Sequence, residues 1–233
     1  MRIFDRRRHA ARRARSASGF DGYSFLKQAA AEDIALRLSA INRRFDRVLD
    51  LGAHDGTVGR VLKADTALAG SIGDIIEADL SPAFLKRPLG VAADEEALPF
   101  ADASFDLIVS ALSLHWVNDL PGALIQIRRA LRPDGLFIGV VLGGRTLNEL
   151  RQSLLASEDH IRGGAANRVS PFVDVIDAAG LLQRTEFAMP VADTDGTLIR
   201  PIDAADQVDE RALAGAVRSD DRADLALHDH EAD

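Results

Sequence analysis

The stretch Val48-Leu49-Asp50-Leu51-Gly52-Ala53-His54-Asp55-Gly56-Thr57-Val58-Gly59 decides the fold. The run from Arg47 to Leu51 is mostly aliphatic, as a strand buried on both faces should be. Gly52 and Gly56 allow a sharp turn and close backbone approach to a ligand. From Thr57 a helix can begin, and its free N–H groups favour an anionic group at that end. The whole reads as strand, turn and helix at a nucleotide-type site. It is not a dinucleotide fingerprint, because His54 and Thr57 stand where the second and third glycines of G-x-G-x-x-G belong. It is not a P-loop either, since no Gly-Lys-Ser/Thr follows the glycines.

Working outward, Val58 to Leu68 is expected to be the first crossover helix and Asp74 to Asp79 the second strand. Asp79 falls at that strand's carboxyl end, where an acid can accept hydrogen bonds from a ribose diol. The competing reading makes it a cap for the next helix, which Ser81-Pro82 is expected to open with Ser81 as N-cap. Asp94 follows the short apolar run Val91 to Ala93 and precedes Leu98-Pro99-Phe100, which would wall a pocket. Phe105 to Leu112 is another buried strand, and it delivers Ser113, Leu114, His115 and Trp116 to the ligand end of the sheet. A helix from Leu120 to Leu131, the turn Arg132-Pro133-Asp134-Gly135 and a strand from Leu136 to Leu142 follow. Helices are expected over Thr146 to Ser157 and from Ser170-Pro171 to about Leu182, with a sixth strand from Phe187 to Val191. Before the first strand, Phe20 to Arg44 reads as a helix burying Phe25, Leu26, Ala29, Ile34, Leu36, Leu38 and Ile41, or else as a lid. Strands alternating with helices imply an α/β fold, Rossmann-like and doubly wound, with a mostly parallel sheet.

The 233 residues, 47% hydrophobic and 27% charged, suit one globular domain with a substantial core. A net charge of −8 gives no general nucleic-acid footprint, and no apolar run is long enough to span a membrane. Zero cysteines exclude disulfides, thiolate metal sites and cysteine nucleophiles. No two-His-one-carboxylate spacing stands on a credible scaffold; His228-Asp229-His230 lies in a polar tail, so no metal site is expected. The beginning is strongly basic, with Arg2, Arg6, Arg7, Arg8, Arg12, Arg13 and Arg15 against Asp5. It fits either a transit peptide or a basic surface helix that rests on an acidic partner.

Taken together, Val48 to Gly59, Asp79-Leu80-Ser81-Pro82, Asp94, Ser104-Phe105-Asp106 and Arg132 to Gly135 resemble the class I S-adenosylmethionine (SAM) methyltransferases, with His54 at the middle glycine of the first motif. Ile3-Phe4-Asp5-Arg6, Ser113 to Pro121, Gly143 to Arg151, Ser170-Pro171-Phe172 and Asp193-Thr194-Asp195 are most similar to a subgroup, the complex I assembly factors of methyltransferase fold and their bacterial relatives. The methyltransferases of biotin synthesis that act on a malonyl carrier protein are more distantly similar. The resemblance implies SAM as cofactor, with contacts from Asp50, Gly52, Ala53, Gly56, Asp79, Leu80, Asp94, Glu95 and Ser110. In it Asp50 and Gly52 serve the methionine end, Asp79 the ribose and Asp94 the adenine amino group, a donor that a carboxylate can accept. It implies methyl transfer, with His115 as candidate base, to a small-molecule or protein acceptor that the sequence leaves open. It implies as an alternative hydroxylation of an arginine on a respiratory complex I subunit, or assembly of that complex. Because the basic arm falls inside the similar region, it is read as part of the mature protein, in a bacterial cytoplasm, or in the mitochondrial matrix for a eukaryotic chain.

Three regions follow: a basic helical extension over 1–44, a SAM-binding domain over 45–195 and an acidic, poorly patterned tail over 196–233. Thr197 to Ile199 reads as a short strand. The usual order of such sheets, 3-2-1-4-5-7-6, ends with a strand inserted beside the fifth. No candidate for it is visible here, so the fifth strand is expected to keep an open edge. The tail is expected to be a shifted reading frame or truncation of a longer ancestor, which would impair or abolish turnover.

Overall fold

The computed structural model describes residues 2–86, 88–164, 168–187, 191–192, 198–199 and 216–218. Helix α1 (Arg6–Ser16) is capped by Asp5, whose side chain accepts from the Arg8 amide, and is followed by α2 (Phe25–Ser39). Then β1 (Phe45–Leu51), α3 (Thr57–Ala64), β2 (Ile72–Asp79), β3 (Gly90–Ala92), β4 (Phe105–Ala111), α4 (Leu120–Ala130) and β5 (Leu131–Val140) alternate. Helices α5 (Asn148–Arg162) and α6 (Val175–Arg184) come next, then the short strands β6 (Val191–Ala192), β7 (Leu198–Ile199) and β8 (Ala216–Arg218).

The main sheet runs β3-β2-β1-β4-β5-β8. Its first five strands are parallel, and β8 joins β5 antiparallel with Phe137 opposite Val217. This is the expected doubly wound α/β sheet. The expectation of an uncovered β5 is corrected: three residues of the tail fill the edge position, too short a run to stand out as a pattern in sequence. The expected sixth strand does not join this sheet, because β6 pairs with β7 in a separate two-stranded ribbon. Phe187 instead lies buried in the core.

Aliphatic side chains leave both faces of the central strands, and each face has its own core. On one, α2 and α3 bring Ile34, Leu38, Val58 and Leu62 against Val48, Leu107 and Val109. On the other, α4 and α6 bring Leu124, Ile127 and Leu181 against Leu49, Leu51, Ile108 and Phe137. Each such side chain contributes about 1.5–3 kcal/mol relative to exposure.

Helix α2 has a different phase from the one its hydrophobic residues suggest. Ala30, Ala31, Ile34, Ala35 and Leu38 are buried, whereas Phe25, Leu26 and Leu36 are exposed. The expected helix after Ser81-Pro82 is a single 3₁₀ turn, Pro82–Phe84, without a side-chain cap bond from Ser81. Helix α6 starts at Val175 and is capped by Asp174, so Ser170-Pro171 precedes it rather than opening it. Asp193 to Asp195, most of 196–233 and the His228-Asp229-His230 motif lie outside the described residues.

Candidate cofactor cleft

Strand β1 has β2 on one side and β4 on the other, so the crossovers diverge at its carboxyl end, where open α/β sheets bind ligands. The turn there is built as the sequence suggests, with Gly52 at φ +75° and Gly56 at φ +73°. A Cβ on Gly52 would strike the Ser113 side chain, and one on Gly56 would strike the Glu77 carboxylate. His54, between them, is left-handed at φ +54°, and Leu112, just past β4, at φ +56°. Non-glycine residues held this way cost free energy and tend to gather where function demands them.

Asp79 ends β2 buried. Its Oδ2 accepts from the His54 amide at 2.9 Å and its Oδ1 from the Ser81 amide at 2.8 Å. It therefore takes part in the turn that follows it as well as facing the cleft. Asp94, after β3, accepts from the Glu96 amide at 2.9 Å, and Glu95 accepts from the Ser113 hydroxyl. The carboxyl ends of β1, β2 and β3 thus bring together Gly52, Ala53, Gly56, Asp79, Asp94 and Glu95, all named from sequence. Leu80, half-buried, follows Asp79. Ser110 is fully buried and donates to the Leu51 carbonyl at 2.9 Å, tying β4 to the end of β1.

Asp50 is fully buried on the α2 side of the sheet. Neither oxygen meets a donor at full hydrogen-bond geometry, although the Gly59 amide helps hold the charge. Burial pushes its carboxyl up to about 6, against the opposing pull of the Lys27 ammonium. Lys27 is the residue that sequence reasoning missed. It sits on the buried stripe of α2 with Ala30, Ala31, Ile34 and Leu38, and its ammonium donates to the Gly52 carbonyl at 2.7 Å and the Ala111 carbonyl at 2.8 Å. Burial lowers its pKa. A lysine in phase with an alanine and isoleucine stripe was the signal available in the sequence.

Two further missed residues come from α1. The Arg13 guanidinium pairs with both oxygens of Asp79, contacts His54 Nε2 at 2.6 Å and lies over the Phe84 ring at 5.3 Å. Arg6 reaches Asp94 at 2.6 Å, the carboxylate of Glu95, and the Trp116 carbonyl at 3.1 Å. Because a guanidinium can only donate, His54 Nε2 must accept, and the Nδ1 proton is then directed at the Gly52 carbonyl 2.8 Å away. The neutral form this requires is favoured, since burial, Lys27 and Arg13 all hold the His54 pKa well below its ordinary value.

The start of the chain is pinned to the same place. Asn118 Oδ1 accepts from the Ile3 and Phe4 amides, each at 2.7 Å, and His9 stacks on Trp116 at 4.9 Å between ring centres. The motifs Ile3-Phe4-Asp5-Arg6 and Ser113 to Pro121, far apart in sequence, meet at the cleft. His115 lies between Trp116 and Phe172 with its Nδ1 buried and unpartnered. Burial lowers its pKa to about 4, so it is neutral near pH 7 and able to accept a proton.

The donors and acceptors suit a nucleoside-containing ligand. Asp79 and Asp94 are carboxylates, acceptors of the kind that a diol and an amino group require, and each is paired here by an arginine of α1. Among the described residues no group of three His, Asp or Glu side chains is arranged to hold a metal ion. No helix among them is long and apolar enough to cross a membrane.

Comparison with known proteins agrees with this fold. Residues 49–139 match the model of a methyltransferase domain family. The human protein named arginine-hydroxylase NDUFAF5, mitochondrial, is 42% identical over 207 residues, which are 84% of this chain and 58% of that one. The malonyl-[acyl-carrier protein] O-methyltransferase of Laribacter hongkongensis is 32% identical over 78% of this chain and 64% of that one. The chain thus spans a little over half the length of the human relative. Among solved structures, an S-adenosylmethionine dependent methyltransferase from Mesorhizobium loti superposes with TM-score 0.52 at 24% identity over 69% of this chain and 82% of that one. A Haloferax volcanii complex of the Trm112 methyltransferase activator with a methyltransferase gives TM-score 0.56 at 18% identity over 88% and 95%. Sheet order, glycine turn and sequence similarity together identify residues 49–139 as a methyltransferase domain of Rossmann-like fold, on a chain similar to the NDUFAF5 proteins and, at lower identity, to the malonyl-[acyl-carrier protein] O-methyltransferases.

Proposed function

We propose that the protein transfers a methyl group from SAM to an acceptor that approaches past His115 and Trp116. The observation that carries this reading is the buried Asp79 carboxylate, held by the His54 and Ser81 amides beside the Gly52–Gly56 turn. In this reading Asp79 receives the ribose diol and Asp94, with Glu95, the adenine end. Gly52, Ala53 and Gly56 form the floor of the cleft, with Leu80 beside Asp79. Asp50 and Ser110 act from beneath, balancing Lys27 and fixing the end of β1. The cofactor supplies an electrophilic methyl on a sulfonium. What remains for the chain is to hold the acceptor in line and to receive its proton, and His115, neutral near pH 7 and just past the end of β4, is the candidate for the second task.

Calorimetry with SAM tests the cofactor assignment: wild type binds, and Asp79→Ala weakens binding tenfold or more, on the order of a lost charge-assisted hydrogen bond. No heat from the wild type would end the reading.

A second reading is favoured by the 42% identity to the human NDUFAF5 protein: hydroxylation of a protein arginine, or assembly of a respiratory complex, with a complex I subunit as partner. Mass spectrometry of a candidate acceptor separates the two, as a gained methyl group or a gained oxygen atom. The exposed Arg7, Arg8, Arg12 and Arg15 of α1 support an acidic protein partner, whose binding added salt should weaken. We propose a bacterial cytoplasmic location, or the mitochondrial matrix for a eukaryotic chain, the latter supported by the mitochondrial NDUFAF5 relatives; cell fractionation checks it.

A further inference from the structure

We propose that α1 is a lid that competes with the cofactor for its carboxylates, so that SAM enters only when α1 leaves. The inference rests on the cofactor reading above and adds a conformational step to it.

The case begins with the acceptor capacity of Asp79. A carboxylate oxygen has two lone pairs, and here both oxygens are full. Oδ1 accepts from the Ser81 amide at 2.8 Å and Arg13 Nε at 3.3 Å; Oδ2 accepts from the His54 amide at 2.9 Å and the second nitrogen of the Arg13 fork. The two amides belong to the turns and cannot leave without unfolding them. Arg13 comes from a separate helix, so only its departure frees an acceptor for each hydroxyl of a ribose diol.

The same helix closes the other end. Arg6 holds Asp94 through two of its nitrogens, Nε at 3.1 Å and the terminal one at 2.6 Å, and it also holds Glu95. Arg6 and Arg13 are seven residues apart, two turns, so they project from one face of α1 and dock or leave together. They are the α1 arginines that turn inward; Arg7, Arg8, Arg12 and Arg15 are exposed. Taking one guanidinium wholly and a second largely out of water is costly unless each is paired, and in this arrangement each is paired by acids of the cleft. Stacking of His9 on Trp116 and of Phe20 on His54 completes the seal, covering the approach to His115 as well.

A state that must open before binding lowers apparent affinity by the fraction of open molecules. The first measurement uses hydrogen exchange of the full-length protein, with and without SAM. The amides of residues 9–16 should lose protection when SAM binds, while those of β1 and β4 gain it. The second is calorimetry on Arg13→Ala, with circular dichroism to confirm folding: its SAM dissociation constant should fall about tenfold below wild type.

Exchange is the deciding measurement, because it needs no variant. Wild type that binds SAM while α1 becomes more protected would show a helix that closes over the cofactor, and would overturn the competition. So would a folded Arg13→Ala with unchanged or weaker binding. Absence of SAM binding in wild type and variant alike would instead end the cofactor reading, and the lid with it.

Discussion

His54 shows how one residue can serve two opposed demands. Its backbone is left-handed, a conformation that costs an L-residue about 1–2 kcal/mol and that a glycine would adopt freely. Its ring repays that cost through the Gly52 carbonyl, the Arg13 guanidinium and the stack on Phe20 at 5.2 Å. In sequence it stands at the middle glycine of the first motif. The structure assigns the ring to the docked helix. His54→Gly is therefore expected to relieve strain, loosen α1 and tighten SAM binding severalfold by calorimetry. Weaker binding would mean that the imidazole serves the cofactor directly. Lys27 poses a harder electrostatic problem, because its charge is buried against carbonyls and beside a buried acid. Lys27→Met leaves Asp50 without that cation and should destabilise the fold by about 3–5 kcal/mol in urea denaturation. A loss under 1 kcal/mol would show that Asp50 is not charged in the folded protein.

At the scale of elements, α2 couples the core to the cleft. Ile34 and Leu38 are fully buried against the sheet, while Lys27, about two and three turns earlier on the same stripe, fixes the carbonyls at the ends of β1 and β4. Leu38→Ala should cost about 2–5 kcal/mol, read as a lowered denaturation midpoint, with SAM affinity kept under conditions where the protein stays folded. If affinity fell along with stability under those conditions, α2 would be passing packing strain to the turn. Helix α1 is held differently. Only Arg13 of its residues is buried, and polar contacts with the cleft do most of the anchoring. An element held by ion pairs at one face can be released by replacing its partners, which a hydrophobic stripe does not allow.

For the whole molecule, buried titratable groups set the response to acid. His9 and His115 are lowered to about 4, the first by burial and then the nearby Arg13 and Arg6, the second by burial, and His54 is lowered too. Between the folded value and the ordinary one near 6.5, the unfolded chain binds more protons at these sites, so stability is full above about pH 6.5 and is lost as pH falls towards 4. Asp50 runs the other way: raised from 3.8 to about 6, it binds its proton in the folded state, and its contribution improves on acidification. Three histidines outweigh one carboxylate, so urea denaturation should show lower stability at pH 5 than at pH 7. Equal or greater stability at pH 5 would mean that the histidines are more solvated than their packing implies.

What the sequence determined by itself was everything carried by local pattern. Aliphatic runs gave the parallel strands, Gly52 and Gly56 gave the turn, and acids at strand ends gave Asp79 and Asp94, because in a parallel sheet every strand end points at the same crevice. Position along a strand was enough to place those residues together. Tertiary structure alone decided the rest. The phase of α2 depends on which stripe meets the sheet, so its exposed Phe25 and buried Lys27 run against hydrophobicity. The three residues of β8 are a strand only because β5 offers an edge to pair with. Arg13 looked like charge on an arm, and no local pattern distinguishes it from Arg12; Arg6 stood in the motif Ile3 to Arg6, but with no partner that local sequence could name. They acquire their role from acids 66 to 89 residues away in sequence, whose buried charge needs a partner wherever the chain can supply one.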